Sequence, residues 1–227
     1  EQKVLNQVDA IVPLTAQDES WFKANGYTGP LHIIPVGVAL EDYVIQDELT
    51  DSKNAFHLGS MDWMPNVDGV EWLLDHVWPK VLKHVPSAKL YLAGKGMPKS
   101  IFNRSSDNIL VSEYVDDLMH FFNGKQLMLV PLFSGSGMRV KIIEGMAAGR
   151  TIVSTPVGAE GIEYTDYLNI LIADSVDKFA DHIVHCLQDS NFAKGIGTEA
   201  HRLVSSKYDS DRLGKELQDF MLNILKA

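Results

Sequence analysis

The sequence predicts an α/β domain built on a Rossmann-like parallel sheet flanked by helices. Two observations carry that expectation. Short apolar runs alternate with longer helical patterns along nearly the whole chain, the signature of βαβ units. In addition, "LMLVPLFSGSGMRVKIIEGMAAG" joins a buried-type strand to an amphipathic helix through a turn of small residues. In chain order, strands are read at 9–14, 31–36, 55–59, 89–94, 108–112, 127–132, 151–156 and 169–173. Helical periodicity fills the intervals, most clearly over 67–85, 117–122, 137–148 and 176–188, and twice more after Phe192. Residues 35–54, "PVGVALEDYVIQDELTDSKN", have weak periodicity and many acids and are read as a linker. Residues 1 to about 36 then hold a strand, a helix and a strand with no sheet of their own, because two parallel strands make a poor independent domain.

Composition narrows the function classes. With 227 residues and 45% hydrophobic composition the chain can bury a sizeable core. Its net charge of −10 argues against a nucleic-acid backbone as main partner, which needs a basic face. No stretch resembles a transmembrane span or a signal peptide. A single cysteine, Cys186, excludes an internal disulfide framework and suits a reducing compartment. The chain lacks an initiator Met and reads as a piece of something longer.

Within the acidic chain, two cations stand where a helix should begin. Ser134, Gly135, Ser136 and Gly137 form the turn, and Val140, Ile143 and Ala147 mark one helical face. A helix N-terminus exposes unpaired N–H groups and carries partial positive charge, so Arg139 and Lys141 are misplaced there unless an anion arrives. A phosphate would reverse the sign, its oxygens meeting the amides of Gly135 to Gly137 and the two side chains. The bland alternative is a capped helix in which Lys141 pairs with Glu144 at i,i+3. Glu144 lies seven residues beyond Gly137, roughly 10 Å along a helix axis, a separation that suits the diphosphate and ribose of one nucleotide.

Residues 133–161, together with "FHLGSMDWMPNVDGVEWL", "LYLAGKG", "VSEYVDDL" and "VPLFSGSG" in that order, resemble the nucleotide-sugar-binding C-terminal domain of family 4 glycosyltransferases with the GT-B fold. The resemblance covers roughly residues 55–190 and is strongest at "KIIEGMAAGRTIVSTPVGAEG". It implies three parts: 1–40 as a remnant of the N-terminal domain and the interdomain crossing, 41–206 as the donor-binding domain, and 207–227 as a helix returning toward the N-terminal domain, most of which would be missing. It further implies that Arg139 and Lys141 meet the donor diphosphate and are the catalytic cations, with the amides of Gly135, Ser136 and Gly137. Glu144, as the second Glu of an E-x7-E motif, would bind the ribose. Gly59 and Ser60 would approach from the opposite loop, and Tyr114 and Val115 would flank the base.

Two positions depart from that pattern. The first Glu of E-x7-E should stand at 136, where this chain has Ser136, so an acidic contact to the donor sugar is missing or supplied elsewhere. The loop "GSMDWMPNVDG" also lacks the Arg and Lys of many relatives, a charge that Arg139 and Lys141 would replace.

Other constellations have plainer readings. "LAGKGMPKS" misses a P-loop because Pro98 stands where glycine is required, leaving Lys95 a solvated loop residue. His182, His185 and Cys186 could ligate a metal, but Asp181, His182, His185 and Gln188 read as the wet face of an amphipathic helix. Asp209 to Asp211 superficially match a metal-binding D-x-D, yet Asp209 suits an N-cap, as does Asp117. Trp63, Trp72 and Trp78 are read as packing residues, with Trp63 also within reach of a ligand loop, and Gly158 and Gly161 as turn residues beside Glu160 and Glu163.

The resemblance implies a retaining, metal-independent transfer of a sugar from a nucleoside-diphosphate sugar to a glycan or lipid-linked acceptor, with no cofactor beyond that donor. The fragment alone would be inactive. A cytoplasmic setting follows, at the inner face of a membrane for the full-length protein, with no nucleic-acid partner. A non-catalytic sugar-nucleotide-binding or assembly module is the alternative, and a nucleotide-sugar epimerase is a third.

Overall fold

The computed structural model describes residues 5–43, 45 and 53–226. Six parallel strands form one sheet: β1 Asn54–Leu58, β2 Lys89–Ala93, β3 Ile109–Ser112, β4 Leu127–Val130, β5 Thr151–Ser154 and β6 Leu171–Ile172. Their order is β3-β2-β1-β4-β5-β6, so the chain winds outward from β1 in one direction, returns to β4 beside β1, and winds outward again. The reversal leaves a crevice at the carboxyl ends of β1 and β4, the place where open sheets of this kind bind ligands.

Side-chain alternation divides the core in two. Leu127 and Leu129 of β4 join one cluster with Leu73, Trp78, Leu90 and Phe179, while Met128 and Val130 join a second with Phe56, Ile142, Ile143 and Val204. A strand with period two and helices on both faces has no polar side, which is why "LMLV" reads as a continuous apolar run. Each fully buried Leu, Ile or Phe contributes roughly 1.5–3 kcal/mol.

The helices are α1 Ala16–Ala24, α2 Met64–Trp72, α3 Trp78–His84, α4 Lys99–Phe102, α5 Leu118–Phe122, α6 Val140–Ala147, α7 Val176–Gln188, α8 Ser190–Lys207 and α9 Ser210–Ile224. The one helix expected over 67–85 is interrupted. A π-helical turn, Leu73–Val77, separates α2 from α3, and the Trp78 N–H reaches back five residues to Leu73 O. Pro79 follows immediately; it has no N–H to donate and its ring crowds the preceding turn, so the wider turn accommodates it while Leu73, Leu74, Val77 and Trp78 stay buried. The helix expected from 137 instead begins at Val140. Gly135 and Gly137 have φ of +105° and +87°, which no helical residue adopts, so the glycines belong to the turn. Asp117, Ser175 and Asp209 cap α5, α7 and α9 through their side chains.

The two expected strands at 9–14 and 31–36 reduce to a single parallel bridge, Ile11 to Leu31, supported by the Ile34 N–H to Pro13 O bond of 3.0 Å. They flank α1, which a Thr15–Asp18 capping box starts, and stay apart from the six-stranded sheet. Val38 then pairs with the start of α9, donating to Tyr208 O at 2.8 Å and accepting from the Ser210 N–H at 3.0 Å. Of the expected linker 35–54, residues 44 and 46–52 lie outside the described residues; Leu40–Asp42 form a short 3-10 turn.

One backbone approach sets the crevice floor. A Cβ on Gly94, at the end of β2, would lie 1.8 Å from Gly59 O, and its φ is +150°. Gly94→Ala is therefore expected to destabilise the chain by on the order of 3 kcal/mol, with a fall in melting temperature of roughly 6–12 °C in thermal unfolding. An unchanged melting temperature would contradict that packing.

Candidate functional site

Five loops rise at the carboxyl ends of β1 to β5. The loop after β1 begins with Gly59 and Ser60 and enters α2, where the Asn66 Nδ2 donates to Ser60 O at 2.7 Å. A Cβ on Gly59 would come within 2.8 Å of that amide, so glycine is required for the amide to fold back over the loop. From the opposite face of the sheet, Lys141 in the first turn of α6 donates to Asn66 Oδ1 at 2.9 Å. One amide thus joins the loop after β1 to the start of α6.

Arg139, the residue before α6, folds back on its own turn. Its Nη1 donates to Ser136 O at 2.7 Å, and the guanidinium lies over the Trp63 ring, 4.9 Å from the centroid. Gly135 permits this stack, since a Cβ there would lie 2.6 Å from the indole and 2.7 Å from Arg139 Nη2. Only 8% of Arg139 is exposed, yet Nε and Nη2 have no hydrogen-bond partner. Burial lowers its pKa from the usual range, opposed by the carboxylate of Glu160.

Lys141 is under similar stress. Burial, and then the like charge of Arg139, push its amine down to about 7. Among the described residues no carboxylate lies within ion-pair distance of Lys141; the i,i+3 pairing with Glu144 is not made. Glu144 turns to Tyr43 instead and accepts a hydrogen bond from its hydroxyl. Burial raises the Glu144 pKa, and the phenol, itself buried beside that carboxylate, is pushed up to about 12. The expected ribose ligand is therefore half-buried and already holds one partner.

The remaining expected residues divide in the same way. Ser136 is exposed and contributes its carbonyl to Arg139. Tyr114, 74% exposed, and Val115, half-buried, follow β3 at the edge of the sheet, two strands and so ~10 Å from β1. Lys95 pairs weakly with Asp62 at 3.7 Å on the surface. His182, expected on the wet face of α7, is instead buried, where its ring reaches Ile172 O, and His185 stacks on Phe192 at 4.0 Å. Trp78 is buried in the core, and Trp72 packs edge-on against Phe133 and Phe179.

Four contributors were not assigned a site role from sequence: Asn66, His57, Tyr43 and Glu160. The Asn66 bond to Lys141 spans 75 residues, so no local pattern signals it. His57 had a readable signal, a lone imidazole inside the apolar run "AFHL". Glu160 lines an open cleft of about 610 Å³ with Phe133, Ser134, Gly135, Gly161 and Tyr164, between the loops after β4 and β5. Carboxylate and aromatic faces side by side suit sugar hydroxyls and the apolar face of a pyranose ring.

Fold and crevice together define a doubly wound, Rossmann-like α/β domain. The sequence profile described as Glycosyl transferases group 1 matches residues 52–189, and the chain belongs to that family. It is 27% identical over 169 residues to an uncharacterized 44.6 kDa protein from the cps region of Klebsiella pneumoniae, covering 70% of this chain and 44% of that one. Among solved structures it is similar to TarM of S. aureus, with a TM-score of 0.80 and 16% identity over 96% of this chain and 44% of TarM. Anabaena HepE in complex with UDP-glucose gives a TM-score of 0.76 and 12% identity over 98% of this chain and 68% of HepE. The chain thus spans less than half the length of the Klebsiella and TarM proteins. Among the described residues no helix is long and apolar enough to cross a membrane.

Proposed function

We propose that residues 41–206 form the donor-binding domain of a retaining, metal-independent glycosyltransferase, which moves a sugar from a nucleoside-diphosphate sugar to a glycan or lipid-linked acceptor. The observation that carries this reading is the pair of cations at the start of α6, Arg139 with two buried nitrogens unpartnered and Lys141 without a carboxylate. Family membership and the UDP-glucose complex of the similar HepE structure agree with it. Arg139 and Lys141 take the diphosphate and stabilise its charge as the glycosidic bond breaks. Gly59, Ser60 and the amides of Gly135 to Gly137 approach the same group, Glu144 the ribose, and Tyr114 and Val115 the base. The cleft beside Gly135 takes the sugar, with Glu160 as the carboxylate that position 136 lacks. Residues 1–40 and 207–227 belong with a partner N-terminal domain that supplies the acceptor site, so this fragment binds donor and does not turn over.

Calorimetry with UDP, GDP and ADP tests the reading. One of the three is expected to bind, and Glu144→Ala to weaken it about 10- to 100-fold, as loss of a charged hydrogen bond does. Absence of binding by all three would remove the donor site. The alternative, a non-catalytic sugar-nucleotide module, draws on the exposed hydroxyl at Ser136 where the family pattern has an acid. Donor hydrolysis or transfer by the longer protein separates the two.

A further inference from the structure

One neutral group, the Asn66 amide, accepts from Lys141, and the role proposed above does not use it. We propose that Asn66 is a positioning residue for Lys141, directing its amine into the crevice while withholding a countercharge, so that a bound diphosphate draws a proton onto the site. This rests on the reading of the crevice as a nucleoside-diphosphate site.

The hydrogen-bond pattern fixes the orientation of the amide and the tautomer of the buried His57 ring in β1. Asn66 spends its Nδ2 on Ser60 O, so the oxygen must face Lys141. An amide oxygen accepts equally from an ammonium or an amine and leaves the charge undecided. His57, wholly buried in β1, places Nδ1 2.9 Å from Leu129 O. A carbonyl only accepts, so the ring proton sits on Nδ1 and Nε2 is a bare acceptor, buried and without a partner. Burial, and then the positive charge of Lys141, hold this imidazole near a pKa of about 3, so it stays neutral at physiological pH.

The charged groups around Lys141 are otherwise committed. Glu144, one turn along α6, is engaged by Tyr43. Asp62, in the loop after β1, faces Lys95, and Glu160, in the loop after β5, acts on Arg139. The charged group that acts on Lys141 is Arg139, of like sign, and with burial it brings the amine to about 7. A diphosphate beside Nζ supplies the missing negative charge. The free amine then takes a proton from solvent buffer and becomes an ammonium; no other bond changes.

The test is calorimetry of the 227-residue chain with UDP at about pH 8 in two phosphate-free buffers of different ionisation enthalpy. The terminal phosphate of UDP, with a pKa of about 6, is already ionised there and takes up no proton. Uptake approaching one proton per UDP is expected, with affinity falling nearly tenfold per pH unit above about pH 7.5. Asn66→Asp supplies the withheld carboxylate, keeps Lys141 protonated in the free chain, and abolishes the uptake. His57→Asn removes the ring nitrogen Nε2 as a rival proton acceptor and should leave the uptake intact. If uptake vanishes in His57→Asn, the proton goes to the ring and the proposal is wrong. UDP binding whose heat is independent of buffer overturns this proposal and leaves the donor site standing. No UDP binding overturns both.

Discussion

Arg139→Ala is expected to weaken UDP binding by at least about 100-fold. Nη1 is occupied by Ser136 O, which leaves Nε and Nη2, two donors already desolvated and aimed by the Trp63 stack. A hydrogen bond to a charged group is worth roughly 1.5–3 kcal/mol, so two of them correspond to about two or more orders of magnitude. Folding should hardly notice the change, because the lost stack on Trp63 is offset by removal of a buried, half-satisfied cation. Arg139→Lys separates charge from shape: a point charge keeps the attraction but cannot present two fixed donors, and it should recover only part of the affinity. Equal UDP affinity in wild type and Arg139→Ala would show that the guanidinium is structural.

The second large effect has the opposite sign for stability. Lys141→Met should abolish UDP binding while raising the melting temperature. The amine titrates near 7 when folded, against roughly 10.4 when unfolded, so between those values the unfolded chain binds more protons. Wild-type stability therefore rises with pH across that window, and below pH 7 the full penalty of holding the ammonium is present. Methionine removes it without emptying the space filled by the lysine stem. Because the side chain is only half-buried and solvent screens part of its charge, a gain on the order of 1–3 kcal/mol is expected at pH 6, or roughly 2–4 °C per kcal/mol, shrinking toward zero near pH 10. Thermal melts at the two pH values check it, and a melting temperature that falls at pH 6 would mean that the lysine stabilises the fold. Trading function for stability in this way is expected where a site is built from unfavourably placed charge.

Much of the architecture was legible in the sequence because apolar runs and helical periods are local signals. All six strands of the sheet have ends within two residues of the runs read from sequence, the largest losses being two positions at one end of each of 127–132, 151–156 and 169–173. The misses have identifiable causes. Periodicity carried straight through Pro79 and hid the π turn, and it extended α6 back across two glycines whose positive φ no pattern of hydrophobicity reveals. For the site, the sequence exposed the conflict of charge at Arg139 and Lys141 but not its resolution. The Asn66 amide comes from the far side of the sheet, and Tyr43 reaches Glu144 from the segment that precedes β1. Both are products of the fold, absent from any short window.

The bond between Asn66 and Lys141 spans the sheet, since α2 packs into one apolar layer and α6 into the other. It acts as a rivet through the mouth of the crevice, set before any ligand comes. Little freedom is left there to be frozen out on capture, so recognition at this mouth should draw on contact enthalpy with a small conformational toll.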